Sequence, residues 1–339
     1  MNEWLKLSKK RRVEILEQVN NRLGLPIQAV EKDWWVTMVL KAVFSSRFAE
    51  HFVFKGGTSL SKAYHLIDRF SEDIDLAIDR KFLGFDGELS KTQIKKLRKA
   101  SGIFIVTDFF NELKTQLKKL GIPDEEYELV TNNEIDDTSD PHTIELQYQS
   151  IVEQGDYLPQ RVLIEIGSRS LMEPAESRPI ESIIGGVFPE QKFAIKPFDV
   201  SVVIPTRTFL EKIFLLHEEF LKPKDKIRHL RMTRHLYDLE RLMDHSYGKE
   251  ALGNKELFET IVEHRKKYTP LRGISYDLHT PETLNIIPPD EVISLWEQDY
   301  KTMQENMFYG ESLGYEKMME QIKKLNEKLK TCRLRKIIM

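Results

Sequence analysis

Phe52-Val53-Phe54-Lys55-Gly56-Gly57-Thr58-Ser59-Leu60, followed by Phe70-Ser71-Glu72-Asp73-Ile74-Asp75-Leu76, is the stretch that decides the fold. A short apolar run ends at two glycines, which reads as a buried strand stopped by a tight turn. Thr58 or Ser59 then fits a helix N-cap, and Leu60, Ala63, Tyr64 and Ile67 recur at helical spacing. Glycines ahead of a helix start let backbone N–H groups approach an anion, and the helix dipole favours negative charge there. The hydroxyls of Thr58 and Ser59 add donors. A plain strand–turn–helix also carries a Gly-Gly pair, and the spaced glycine and lysine of a Walker loop are missing.

Asp73 and Asp75 alternate with Ile74, Leu76 and Ile78, so on a strand the two acids share one face and the aliphatics the other. Carboxylates projecting side by side repel unless a cation lies between them, and hard oxygen donors of this kind suit Mg²⁺ or Mn²⁺. The solvent face of an edge strand gives the same alternation. A third acid comes from Val162-Leu163-Ile164-Glu165-Ile166-Gly167, where Glu165 interrupts an aliphatic strand. A carboxylate there is costly unless it is salt-bridged or bound to metal. Thr143 to Gln149 alternates as an antiparallel partner strand.

Further on, Thr208 to Phe220 reads as a helix with the stripe Phe209, Ile213, Leu216 and Phe220, and Lys212 falls inside its apolar sector. A second helix spans Thr233 to Met243, with Asp238 at the edge of the stripe Leu236, Leu239, Met243. Between them run Lys222, Lys224, Lys226, Arg228, Arg231 and Arg234, a basic stretch suited to triphosphate or a nucleic-acid backbone, and equally to a solvated face. Trp34-Trp35 sits on a helix from Ala29 to Phe44 and reads as core. His65, His217, His229 and His235 lack metal-ligand spacing with cysteine and read as structural or solvent-facing.

The chain has 339 residues, 40% hydrophobic and 31% charged, the profile of a globular protein with room for two domains. A net charge of −3 argues against coating nucleic acid by bulk charge, and leaves local patches such as Lys9-Lys10-Arg11-Arg12 and Lys323 to Lys336. No apolar run approaches a membrane span, and the first residues lack a secretory apolar core. A single cysteine, Cys332, gives no disulfide framework. Together these predict a cytoplasmic protein with no membrane partner. Residues 1–204 are expected to form the first domain, with a helical insertion over about 80–140. That insertion holds a basic helix after Ser90-Lys91-Thr92-Gln93, a helix from Asp108 to Leu120, and an acidic loop from Asn133 to Asp140. Residues 205–339 are expected to be helical, with Pro288-Pro289 as the loop marker.

Phe54 to Tyr64 together with Arg69 to Leu76 closely resembles the AbiEii/AbiGii nucleotidyltransferase toxin family, the toxins of type IV abortive-infection toxin–antitoxin pairs. The mycobacterial MenT toxins look related. Glu31-Lys32-Asp33-Trp34-Trp35 is similar to that family's opening helix. Thr208-Phe209-Leu210-Glu211-Lys212-Ile213 and Arg234-His235-Leu236-Tyr237-Asp238-Leu239 look like its third and fourth motifs. The resemblance implies an α+β protein. It would hold a DNA-polymerase-β-like nucleotidyltransferase domain with a mixed or antiparallel sheet, then a mainly helical C-terminal domain contributing Lys212 and Asp238. It also implies that Gly56, Gly57, Thr58 and Ser59, with Lys55 beside them, cradle the triphosphate of an NTP substrate. Asp73 and Asp75 would hold two Mg²⁺ (or Mn²⁺) ions, with Glu165 matching the third acid of the wider superfamily. Lys212 would meet the phosphates or the leaving pyrophosphate, and Asp238 would complete the site.

The same resemblance implies transfer of NMP to an RNA acceptor, the tRNA 3′ end being the expected one, and a cognate antitoxin as partner in phage defence. The basic stretch from Lys222 to Arg234 would hold the RNA. Two other readings stay open at this point: an acceptor hydroxyl on a small molecule or protein, and a non-catalytic NTP-binding subunit.

Overall fold

The computed structural model describes residues 2–131, 135, 137–153 and 158–331. Only part of the expected acidic loop, Asn133 to Asp140, lies within these, and Cys332 with the basic residues after Thr331 lies outside them. The elements run α1 (Lys9–Leu23), α2 (Ile27–Phe44), β1 (Phe52–Lys55), α3 (Gly56–Lys62), β2 (Ile74–Ile78), α4 (Lys91–Phe104), α5 (Phe110–Lys119) and β3 (Tyr127–Thr131). Then come β4 (His142–Tyr148), β5 (Arg161–Gly167), β6 (Ala175–Ile180), α6 (Ile183–Val187), β7 (Phe198–Val203), α7 (Pro205–Phe220), α8 (Thr233–Met243), α9 (Ser246–Gly253), α10 (Lys255–Tyr268), α11 (Ile293–Asn306) and α12 (Tyr315–Thr331).

Internal contacts divide the chain into two compact units, one of residues 1–65 and 70–203, the other of residues 66–69 and 204–339. In the first, seven described strands form one mixed sheet in the order β3-β4-β5-β2-β1-β7-β6. β2 runs parallel to β5 and antiparallel to β1, and β1 runs parallel to β7. Register puts Ile74, Ile164 and Ile144 side by side on one face, all fully buried. α2 covers that face: Trp35 stacks on Tyr148 of β4 with centroids 5.3 Å apart. The Trp34-Trp35 pair is core, as its setting among Val36, Val39 and Leu40 predicts. The opposite face carries the polar positions of β2 and β5.

Three local details differ from the sequence expectation. α3 starts at Gly56 with Lys55 as its cap, so Thr58 and Ser59 lie inside the helix rather than at its cap. It ends at Lys62, and the expected turn through Ile67 is missing: His65 takes a left-handed backbone, φ 52°, through which a helix does not continue, and Leu66–Arg69 belong to the second unit. The helices expected as two over 91–120 run on through a π-helical turn at Ile105–Phe109, where one extra residue is accommodated without a break. The stretch expected as a helical insertion also carries β3, the outer strand beside β4.

The second unit is helical with one long exception. Residues 269–289 are irregular apart from the short turn Tyr276–Leu278, because Pro270, Gly273, Pro281, Pro288 and Pro289 interrupt any run long enough to nucleate a helix. α7 opens with Pro205 in its first turn, where the missing N–H costs nothing. No described helix is long and apolar enough to cross a membrane.

Candidate active site

Parallel pairing of β2 with β5 sets Asp75 directly beside Glu165. Antiparallel pairing sets Lys55 on the other side of Asp75, and Thr143 on the other side of Glu165. Lys55, Asp75, Glu165 and Thr143 thus form one rung across four strands. Asp73 stands one alternation earlier, half-buried like Asp75, while its neighbours Glu72 and Ile74 are buried.

Burial, then the charge of Asp75, then that of Asp73, push the Glu165 carboxyl up to about 7, with a hydrogen bond to Asp75 in the same direction and Lys55 pulling against it. That is the signature of carboxylates crowded on one face. Among the described residues, no group of three or more His, Cys, Asp or Glu side chains is placed to hold a metal ion by itself. The donor chemistry nonetheless fits a hard divalent ion, since Asp75 and Glu165 are oxygen donors in register whose mutual repulsion a cation relieves.

The glycine junction packs against this pair. Gly56 has φ 82°, in the left-handed region that favours glycine. A Cβ there would run into the carboxylate of Asp75. The hydroxyls expected to face an anion are committed elsewhere. Thr58 donates to the carbonyl of Asp73 at 2.5 Å and lies 2.8 Å from the Ser71 hydroxyl, and Ser59 donates to the carbonyl of Gly56 at 2.9 Å. They tie the helix start to the acid-bearing segment.

Lys212 and Asp238 meet within the second unit. Lys212 Nζ is 2.9 Å from Asp238 Oδ2 and 3.4 Å from His235 Nδ1. Arg69 grips the same carboxylate with two bonds, Nε to Oδ1 at 2.7 Å and Nη2 to Oδ2 at 2.8 Å. Asp238 is fully buried rather than at a stripe edge. Burial opposes its charge, yet Arg69 and Lys212 outweigh this and hold the carboxyl far below the usual range. Burial lowers the Lys212 ammonium against the pull of Asp238, and burial with Lys212 beside it keeps His235 neutral.

The basic stretch meets more acid than its sequence suggests. Glu219 accepts from Lys222 at 2.7 Å and from the guanidinium of Arg228 at 2.6 Å, and Glu291 pairs with Lys224. The backbone N–H of Arg231 donates to Asp299 at 2.5 Å. Lys226 is exposed. Among the histidines, His217 is buried and accepts from the backbone of Asn285 at 3.1 Å, a structural role as expected.

Sequence reasoning passed over the charged residues that hold these segments. Arg69, Glu72, Lys62, Lys32 and Asp33 are all buried and ion-paired. The available signal was charge inside otherwise apolar runs, above all Glu31-Lys32-Asp33 ahead of Trp34.

The family model described as nucleotidyl transferase AbiEii toxin, type IV TA system, matches residues 39–329. No curated protein matches. Solved structures similar to this chain include JHP933 from Helicobacter pylori, at 16% identity over 91% of this chain and 94% of that one, with a TM-score of 0.44. MenT4, a nucleotidyltransferase toxin from Mycobacterium tuberculosis H37Rv, is similar at 14% identity over 96% of this chain and 99% of that one, with a TM-score of 0.45.

Proposed function

We propose a reaction for this chain, which belongs to the AbiEii family of nucleotidyl transferase toxins of type IV toxin–antitoxin systems: transfer of a nucleoside monophosphate from an NTP to an RNA hydroxyl, the tRNA 3′ end foremost, with release of pyrophosphate. Nucleotidyltransferase activity follows from the family. The acceptor, the metal and the residue roles are the proposal.

The observation that supports it most is the pair Asp75 and Glu165, in register on parallel strands and packed against Gly56. Asp73, Asp75 and Glu165 would hold Mg²⁺ or Mn²⁺. Such ions, when bound, polarise a phosphoryl oxygen and neutralise charge on the leaving group. Glu165 or Asp75 would accept the proton of the attacking hydroxyl. Gly56 and Gly57, with Lys55 beside them, present backbone N–H groups and a positive charge for the triphosphate. Residues 205–339 act as a helical domain contributing Lys212, whose positive charge would face the phosphates or leaving pyrophosphate, and Asp238, which holds Lys212 in place. Lys222, Lys224, Lys226, Arg228, Arg231 and Arg234 form the proposed RNA-binding stretch, and the reaction belongs in the cytoplasm with a cognate antitoxin controlling it.

The test is incubation with α-labelled NTPs, a divalent ion and total tRNA. Wild type is expected to transfer label to tRNA, and Asp73→Ala to transfer none while keeping its circular dichroism. Label on protein or on a small molecule instead would replace the acceptor, and full activity in Asp73→Ala would remove Asp73 from the site.

A further inference from the structure

α2 is buried nearly all round, yet carries three successive charges, Glu31, Lys32 and Asp33, with exposures of 4%, 2% and 3%. Successive helix residues point about 100° apart, so the three head for different parts of the first unit. The Glu31 carboxylate accepts from the Ser150 hydroxyl at 2.6 Å and the Ile151 N–H at 2.9 Å. Lys32 donates to the Glu72 carboxylate and to the carbonyl of Pro159 at 2.9 Å. Asp33 accepts from Lys62 Nζ at 2.5 Å through one oxygen and from the Ile183 N–H at 2.7 Å through the other.

Two of these partners sit next to the proposed chemistry. Glu72 immediately precedes Asp73 and is 1% exposed. Lys62 is the last residue of α3, the helix that begins at Gly56. Stability gives no reason for two such pairs, because well-packed apolar residues in place of a buried ion pair are often as stable or more so. What a buried ion pair adds is register. An apolar contact tolerates sliding by a fraction of an ångström, whereas a desolvated ion pair does not, since slipping leaves both charges without compensation.

We propose that Lys32 and Asp33 are positioning residues for nucleotidyl transfer, Lys32 fixing the segment that aims Asp73 through Glu72, and Asp33 fixing α3 and its glycines through Lys62. This deepens the reading above and rests on it. Two motifs joined by a loop are thereby pinned to adjacent positions of one rigid helix, the kind of supporting contact that keeps a site in productive geometry.

Paired replacements separate this from a role in stability alone. Lys32→Met with Glu72→Met, and Asp33→Asn with Lys62→Met, replace both members of each ion pair together, and Asn keeps an oxygen for Ile183. The probes are Mn²⁺ alone, followed by its paramagnetic resonance, and inorganic tripolyphosphate, followed by calorimetry. The first double variant is expected to keep the wild-type Tm and bind Mn²⁺ at least ~10-fold more weakly, with a smaller loss for tripolyphosphate because Thr58 links the two segments. The second is expected to show the reverse. Glu31→Gln, whose carboxylate bonds Ser150 and Ile151 rather than either motif, is expected to alter neither.

Wild-type affinity for both probes in both double variants would overturn the positioning role. Should the doubles not fold, Lys32→Arg and Lys62→Arg keep the charges but change their geometry. Wild-type affinities in those variants would overturn it equally. A wild-type protein that binds neither probe would instead overturn the reading of the site itself.

Discussion

At Gly56 two demands coincide: a positive φ, and no room for a Cβ beside the Asp75 carboxylate. Gly56→Ala is therefore expected to cost about 1–2 kcal/mol from the backbone alone, and more from the clash. Urea unfolding measures it, and an unchanged midpoint would refute it. Glu165 makes a prediction with a definite sign. Its carboxyl titrates near 7 in the fold, above the ordinary 4.5, so between those values the native state holds a proton that the unfolded chain has released. Stability of the metal-free protein must then fall as pH rises through that window. Glu165→Gln removes this dependence, so its Tm is expected to exceed that of wild type at about pH 8 and to match it near pH 4.5. Adding Mg²⁺ at the higher pH is expected to stabilise wild type and not the variant.

An element stands or falls by where its charges end up. α8 carries Asp238 into the interior of its unit because Arg69 and Lys212 are both there to meet it. Asp238→Ala would leave two buried cations uncompensated, with an expected cost of about 3–5 kcal/mol by urea unfolding. A loss below 1 kcal/mol, on the order of a surface pair, would show that water reaches the cluster. α4 is a milder case. Its N-terminus is closed by a capping box in which Ser90 and Gln93 bond each other's backbone N–H groups. Ser90→Ala is expected to cost ~1 kcal/mol. Label transfer to RNA should be untouched by it, because nothing near Ser90 enters the proposed reaction.

On the scale of the whole molecule, a net charge of −3 and the acids paired to the basic stretch leave few cations for RNA. Binding of tRNA is expected to weaken with salt only gradually, with a log–log slope near −2 corresponding to about three phosphate contacts. Filter binding across a salt series measures it. A slope steeper than about −6 would mean a far larger basic surface than this stretch supplies.

Much of this was legible beforehand. Strand alternation put Asp73 and Asp75 on one face and singled out Glu165 as a carboxylate in an aliphatic strand, and period 3.6 found α7 and α8, because these signals are local; Asp73 stands just ahead of β2 rather than on it. The sequence by itself thus determined the strands that carry Asp75 and Glu165, the helices α7 and α8, and the family. Tertiary structure alone decided which charges meet. Asp75 lies beside Glu165 through strand register, Arg69 reaches Asp238 across 169 residues, and Lys32 reaches Glu72 across 40. The physical reason is that a buried charge is tolerable only with its partner. That partner is chosen by packing between distant segments, which no periodicity along the chain records.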